Sequence, residues 1–226
     1  VRAPKPTEII LIRHGQSSAN SAGILAGRDP SVRLTDLGRS QAKDLAQRLK
    51  TVKIDRIYSS PLTRCLETIT PLAHELGKKI NTDDSFIEMD YGSWSGEKLS
   101  KLSKKSEWAQ IQKDPAKFRF PEGESFKEMH LRVSSRISEI AAPGKTLIIC
   151  SHGDVIKMLI SHLIGLKINS FQQFFVEPAS ISQIFVGEKN SLVKANVTDH
   201  LKSNSKTGIR RTKSIRAILG GGDVQK

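Results

Sequence analysis

The sequence predicts an α/β protein, a three-layer α/β/α sandwich around a mostly parallel sheet. Short apolar runs alternate along the chain with stretches whose apolar residues fall at helical spacing. The run "TEIILI" (7–12) is apolar almost throughout, as a strand buried on both faces should be. The stretch "DVIKMLISHLIG" (154–165) is an almost wholly apolar helix, so other elements must cover it.

After the first strand, "DLGRSQAKDLAQRLK" (36–50) carries Leu37, Ala42, Leu45, Ala46 and Leu49 at helical spacing. "IDRIYSS" (54–60) reads as a second strand. "SPLTRCLETITPLAHELG" (60–77) opens on a Ser-Pro start signal and closes on glycine. Its apolar set is Leu66, Ile69, Leu72, Ala73 and Leu76, and Pro71 should bend or interrupt it. A weaker extended stretch, "KINTDDSFIEMDYG", follows, then a polar helix over 97–113. Residues 124–141 place Phe126, Met129, Val133, Ile137 and Ile140 on one helical face. "KTLIICSHG" (145–153) holds the clearest strand, and "FFVEPASISQIFVGE" suggests two more short ones.

A chain of 226 residues with 37% hydrophobic content suits one domain with an appendage. The domain is expected over 1–200. Residues 201–226 read as a basic tail, disordered in solution. The net charge of +13 divides into +6 on that tail and +7 on the body. Such a balance attracts phosphates on nucleic acid, membrane or metabolite without choosing among them. No stretch approaches the ~18 consecutive apolar residues of a membrane span. The start "VRAPKPTEIILIRHG" has no long apolar run ending in a small-residue cleavage site, so the cytoplasm is expected. Cys65 and Cys150 read as two buried thiols, with a disulfide left open.

In a parallel sheet, sites form beyond the carboxyl ends of the strands. Arg13 and His14 follow the first strand. Arg64 lies in the first turn after the second. Glu88 ends the next extended stretch, and His152 follows "TLIIC". Each alone is weak: an acid such as Glu88 is usually a surface residue, and "RHG" recurs by chance. Their conjunction at successive strand ends points to phosphoryl transfer. Guanidiniums offer planar forks to phosphate oxygens, and a neutral imidazole can attack phosphorus. Neighbouring cations should favour the neutral ring, and Gly15 should leave room beside it. Glu88 can act as general acid and then base, with His152 as a further donor to the phosphoryl oxygens.

These blocks resemble the histidine phosphatase superfamily, the phosphoglycerate mutase-like proteins. "LIRHGQSSAN" (11–20) is similar to its signature, RHG-E-S-x-x-N. "LTDLGRSQA" (34–42), "YSSPLTRCLET" (58–68), "IEMDYGSWSG" (87–96), "PEGES" (121–125) and "SHGDVIK" (151–157) resemble later blocks in order. The resemblance is closest to a phosphomutase-like branch found in actinobacteria. It implies that His14 is phosphorylated, that Arg13, Arg64 and His152 complete the phosphate pocket, and that Glu88 is the proton donor. Asn20, Ala26, Gly27 and Gly153 are the implied substrate-binding positions. Asp90 and Asp154 are minor candidates for the acid. Gln16 stands where the family usually has Glu. Ala26 stands where mutases tend to carry a hydroxyl, and their paired carboxylate-binding arginines are missing. Phosphatase is therefore preferred to mutase.

The six histidines show no metal-ligand spacing and there is no CxxC, so neither metal nor other cofactor is expected. The expected partner is a small anionic phosphate ester. Lys98, Lys101, Lys104, Lys105 and Arg119 on the expected rim agree with an anion. Trp94 and Trp108 could contact substrate in a lid or serve packing, and His162 reads as a core or edge histidine. The reading from another class is a non-catalytic basic protein binding nucleic acid through the tail. The tail lacks the interleaved aromatics which that reading needs. Oligomeric state is not readable.

Overall fold

The computed structural model describes residues 4–202. Their six-stranded sheet comprises β1 (Thr7–Arg13), β2 (Arg56–Ser59), β3 (Ile80–Thr82), β4 (Thr146–Ser151), β5 (Ile181–Val186) and β6 (Ser191–Val197), in the order β3-β2-β4-β1-β5-β6. The first four in that order are mutually parallel, β5 runs antiparallel to β1, and β6 runs antiparallel to β5. The helices are α1 (Ser18–Ala22), α2 (Asp36–Leu49), α3 (Thr63–Glu75), α4 (Leu99–Leu102), α5 (Ser106–Lys113), α6 (Phe126–Ile140) and α7 (Gly153–Leu163).

The strand alternation explains the layers. On β1, Ile9 and Leu11 face one core while Ile10 and Ile12 face the other; β4 splits Leu147 and Ile149 from Ile148 and Cys150 in the same way. One face is covered by α6 and α7 with an aromatic cluster, the other by α2 and α3. This is the three-layer architecture expected from the alternation of elements.

Several local expectations are corrected. α3 runs unbroken through Pro71, because Ile69, Leu72 and Ala73 on both sides of it are buried against the sheet. Leu37 leaves the apolar face of α2 and is exposed. The polar helix over 97–113 is two helices, interrupted at Ser103–Lys105, with Leu99, Leu102 and Ile111 buried from separate directions. The extended stretch around Glu88 is only β3, followed by a 3₁₀ turn over Asp84–Phe86, so Glu88 sits on a loop. The "FFVEP" half of 174–188 forms no strand, and the partner of β5 is the later β6. Two residues assigned to the tail pack on the body. Leu201 is buried in the core beneath α2 and α3, and the Lys202 N–H donates to Asp44 at 3.1 Å. The remainder of the basic tail, 203–226, lies outside the described residues.

Candidate active site

Register brings the two histidines together. Arg13, last in β1, pairs with Ser151, last in β4, and the His14 N–H donates to the Ser151 carbonyl at 3.0 Å. His14 and His152 are therefore the next residues out of adjacent parallel strands, with ring centroids 5.3 Å apart. β2 lies on the far side of β4. From it, Ser60 places its hydroxyl 2.7 Å from His152 Nε2, and Arg64 follows in the first turn of α3. Three neighbouring strand ends thus supply the histidines and the arginine, as the rule for parallel sheets requires.

His14 is almost fully buried, and its Nδ1 lies 2.7 Å from the Gly15 carbonyl. A carbonyl only accepts, so Nδ1 carries the proton and Nε2 keeps its lone pair in the neutral ring. Burial pushes the His14 pKa well below the ordinary imidazole value, with Arg64 and then Arg13 adding to it. The neighbouring cations act in the expected direction, and desolvation is the larger cause. His152 is shifted in the same direction, again by burial first and Arg64 second.

The room that the missing Gly15 side chain was expected to leave is taken by backbone. A Cβ there would sit 2.7 Å from the Gly38 carbonyl oxygen, so the missing side chain admits the first turn of α2. Gly38 in turn admits the Gln16 backbone. Gln16 takes part in this junction: its Oε1 accepts from Thr35 Oγ1 at 2.9 Å, and its N–H donates to Gln41 Oε1 at 2.8 Å. The Gly15 N–H donates to Thr68 Oγ1 at 2.9 Å, tying the His14 loop to α3.

Glu88 is 4% exposed. Its Oε1 accepts the Met89 N–H at 2.9 Å, and its Oε2 lies 3.9 Å from His152 Nδ1. Burial, then the nearby Asp154, push its carboxyl up to about 7 against the opposing pull of Arg64. Its backbone is gripped from outside. Arg28 Nε donates to the Glu88 carbonyl at 2.9 Å and Arg132 Nη2 at 3.3 Å, and both arginines also bind Glu124. Neither arginine carries a motif that marks it in the sequence.

A cleft enclosing about 360 Å³, open solvent at its mouth included, is lined by His14, Arg64 and Glu88 together with Ser17, Asn20, Ala26 and Gly27. Ile24, Leu25, Tyr91 and Leu99 complete the lining. Sequence reasoning missed these four and Ser17; only Ser17 has a local signal, as N-cap of α1 in a capping box with Asn20. Asn20 spends its side-chain oxygen on Ser17, which leaves its amide donors for the cleft. Gly27 adopts φ +55°, and a Cβ there would reach within 2.5 Å of Ser95 Oγ. Arg64 holds this loop by donating from Nη2 to the Gly27 carbonyl at 2.7 Å and from Nη1 to the Asp29 carbonyl at 3.2 Å.

Arg13, His152 and Gly153 lie behind the lining. Arg13 is fully buried and donates to the Val176 carbonyl at 2.7 Å, and Gly153 is buried in the first turn of α7. Asp154 is buried with Tyr91 Oη donating to it at 2.7 Å and Lys157 Nζ 3.4 Å away, while Asp90 is partly exposed beside Arg28. The rim lysines stand outside the lining. Lys101 pairs with Glu97, Lys105 covers the Trp94 ring, and Arg119 pairs with Glu128. Trp94 is a packing residue, stacked on Trp108 and edged by Phe120. His162 pairs with His130 at 3.2 Å between α7 and α6. Cys65 and Cys150 are buried free thiols. Among the described residues, no three His, Cys, Asp or Glu side chains group as a metal site, and no helix is long and apolar enough to cross a membrane.

Fold and site together define an α/β protein with a histidine-centred, cationic cleft at the carboxyl edge of its sheet. Residues 9–198 match the histidine phosphatase superfamily (branch 1), and the chain belongs to that family. It is 32% identical over 200 residues to phosphoserine phosphatase 1 of Hydrogenobacter thermophilus, covering 86% of this chain and 94% of the relative. It is 34% identical over 172 residues to the 2,3-bisphosphoglycerate-dependent phosphoglycerate mutase of Brucella anthropi, covering 70% and 82%. Among solved structures, the alpha-ribazole phosphatase from Shigella flexneri matches with a TM-score of 0.74 at 27% identity, covering 84% of this chain and 96% of that one.

Proposed function

We propose that this histidine phosphatase hydrolyses a small phosphate monoester through a phosphorylated His14. The observation that carries the reading is the Nδ1 contact of His14 with the Gly15 carbonyl, which leaves Nε2 as the lone-pair nitrogen beside Arg64 and Glu88. In the first step His14 Nε2 forms a bond to phosphorus, the ester P–O bond breaks, and Glu88 gives its proton to the departing oxygen. In the second step Glu88 takes a proton from water, whose oxygen displaces His14 and yields inorganic phosphate. Arg64 holds phosphoryl oxygens from the lining, Asn20 donates to them, Arg13 supplies charge from beneath, and the neutral His152 supplies a donor.

A mutase outcome, in which a substrate hydroxyl rather than water receives the phosphoryl group, is the second reading, favoured by the match to the Brucella mutase. Kinship with an actinobacterial phosphomutase-like branch rests on the sequence blocks; a tree restricted to the cleft-lining positions tests it. The two unlinked buried thiols suit a reduced compartment such as the cytoplasm. The deciding experiment pairs a panel of phosphate esters with a phosphoglycerate isomerisation assay. The native protein should release phosphate, and His14→Ala should lose both turnover and acid-labile labelling. Undiminished labelling in that variant rejects His14 as the nucleophile.

A further inference from the structure

We propose that the ester group of the substrate is uncharged and apolar where it leaves the phosphorus, an alkyl or aryl phosphate rather than a phosphorylated amino or hydroxy acid. This deepens the phosphatase reading and rests on it. The cleft lining is of two chemical kinds. His14, Arg64, Glu88, Ser17 and Asn20 suit the phosphoryl group. Ile24, Leu25 and Leu99 are aliphatic, and Leu25 and Leu99 are held against each other's segments by backbone pairing.

This aliphatic wall is a built feature. Segments 23–25 and 96–99 are laced together by backbone bonds: Leu25 N–H to the Glu97 carbonyl at 2.9 Å, Gly96 N–H to the Leu25 carbonyl at 2.8 Å, and Leu99 N–H to the Gly23 carbonyl at 2.9 Å. An isolated antiparallel bridge pairs Ile24 with Lys98. Leu25 and Leu99 are held almost fully buried by this lacing, and Ile24 is half-buried at the cleft. The Ile24 N–H is anchored to the Ala19 carbonyl in α1 at 2.9 Å. The wall therefore cannot readily swing aside to admit a charged group.

The charges near the wall point the same way. Arg64 is the one cationic side chain among the described lining residues, and the phosphoryl group claims it. Arg28, close to Gly27 in the chain, is committed to the Glu88 carbonyl, Glu124 and Asp90. Beyond Arg64, the described lining offers a substrate carboxylate only the Ser17 hydroxyl and the Asn20 amide as side-chain donors, which the phosphoryl oxygens also claim, and it adds no second cation to offset the lost hydration. An alkyl or aryl group would instead bury apolar surface against the aliphatic side chains.

An alkyl phosphate series from ethyl to hexyl tests this on the unaltered protein, since leaving-group basicity barely changes beyond propyl. The first added methylenes should raise kcat/KM by up to about two- to fourfold each, and the gain should then level off, because Leu25 and Leu99 are already almost fully buried and Ile24 is the half-buried aliphatic side chain a substrate can cover. Pentyl phosphate should exceed phosphoserine and 3-phosphoglycerate by at least about tenfold. Ile24→Lys, at a half-buried position that tolerates a long chain, should flatten the series and raise the relative rate on phosphoserine. A flat series in the native protein, or a preference for the carboxylate esters, overturns the inference while phospho-His14 chemistry stands. Hydrolysis that survives His14→Ala removes the phosphatase reading, and this inference falls with it.

Discussion

Replacing Glu88 with glutamine keeps the side-chain shape and removes its proton, and the structure assigns that change two consequences of opposite sign. The first is kinetic. With its carboxyl raised to about 7, Glu88 holds a proton in about half of the molecules at neutral pH, as a general acid should. General acid catalysis contributes ~10²–10⁴-fold, so Glu88→Gln should slow phosphorylation of His14 by an alkyl phosphate to that extent. A nitrophenyl ester should lose clearly less, because nitrophenolate departs without a proton. Single-turnover formation of phospho-His14 is the assay, since in the proposed mechanism Glu88 also serves the second step and steady-state rates would mix the two.

The second consequence is thermodynamic. The folded protein holds the Glu88 proton more tightly than the unfolded chain does, because the pKa rises from 4.5 to about 7. Stability from this group is fully present below the unfolded value and is lost as pH climbs through the folded one. At about 1.4 kcal/mol per unit, the loss approaches roughly 3 kcal/mol by pH 8. Glutamine never ionises and avoids it. The variant should match the native protein below about pH 4, exceed it by a little under 1 kcal/mol at pH 5, and exceed it by roughly 3 kcal/mol at pH 8, or about 6–12 °C in Tm for a domain of this size. Equal kinetic losses on both esters would make Glu88 structural, and no loss on either would move the acid to Asp90 or Asp154. A stability gain equal at pH 5 and pH 8 would refute the burial argument itself.

Gly15→Ala should cost about 1–3 kcal/mol and reduce kcat, because its methyl meets the Gly38 backbone rather than a flexible side chain; urea unfolding at native-like stability would contradict this. Leu201→Ala should cost about 2–3 kcal/mol by opening a cavity beneath α2 and α3, whereas truncation after Lys202 should leave Tm and kcat nearly unchanged. A large loss on truncation would show that the basic tail supports the body. Activity should survive chelation, given the chemistry assigned to His14 and Glu88; activity lost to EDTA and restored by one divalent ion would require a metal-dependent mechanism.

What was legible in the sequence follows the range of the interactions. Arg13, His14, Arg64 and His152 could be placed because each adjoins a strand that its own apolar run reveals, and a parallel sheet puts such residues on one edge. The register that sets His14 beside His152 joins segments more than 130 residues apart, and no local pattern encodes it. β6 escaped notice because "SLVKANV" is a largely exposed edge strand with little apolar content. The Trp94 environment was equally hidden. Trp108 from one segment and Phe118 and Phe120 from another converge on it without periodicity, so a packing residue looked like a candidate lid contact. The apolar cleft wall belongs to this class too, since Ile24 and Leu99 meet only through loop-to-loop pairing.

Burial links the chemistry to that wall. Desolvation is the largest cause of the depressed His14 pKa and also of the raised Glu88 pKa. One environment therefore keeps the base neutral and the acid protonated at the same pH, because each charged form is the one that low dielectric disfavours. The cations alone could not do this. Arg64 and Arg13 favour neutral His14, but they also favour an ionised Glu88, which would leave the departing oxygen without its proton. The paired segments 23–25 and 96–99 form part of the enclosure of this cleft. Loosening them would return Glu88 toward ordinary carboxylate behaviour and His14 toward ordinary imidazole behaviour together. A substrate that covers the apolar wall deepens the desolvation instead, so its apolar group would assist the proton transfer as well as the binding.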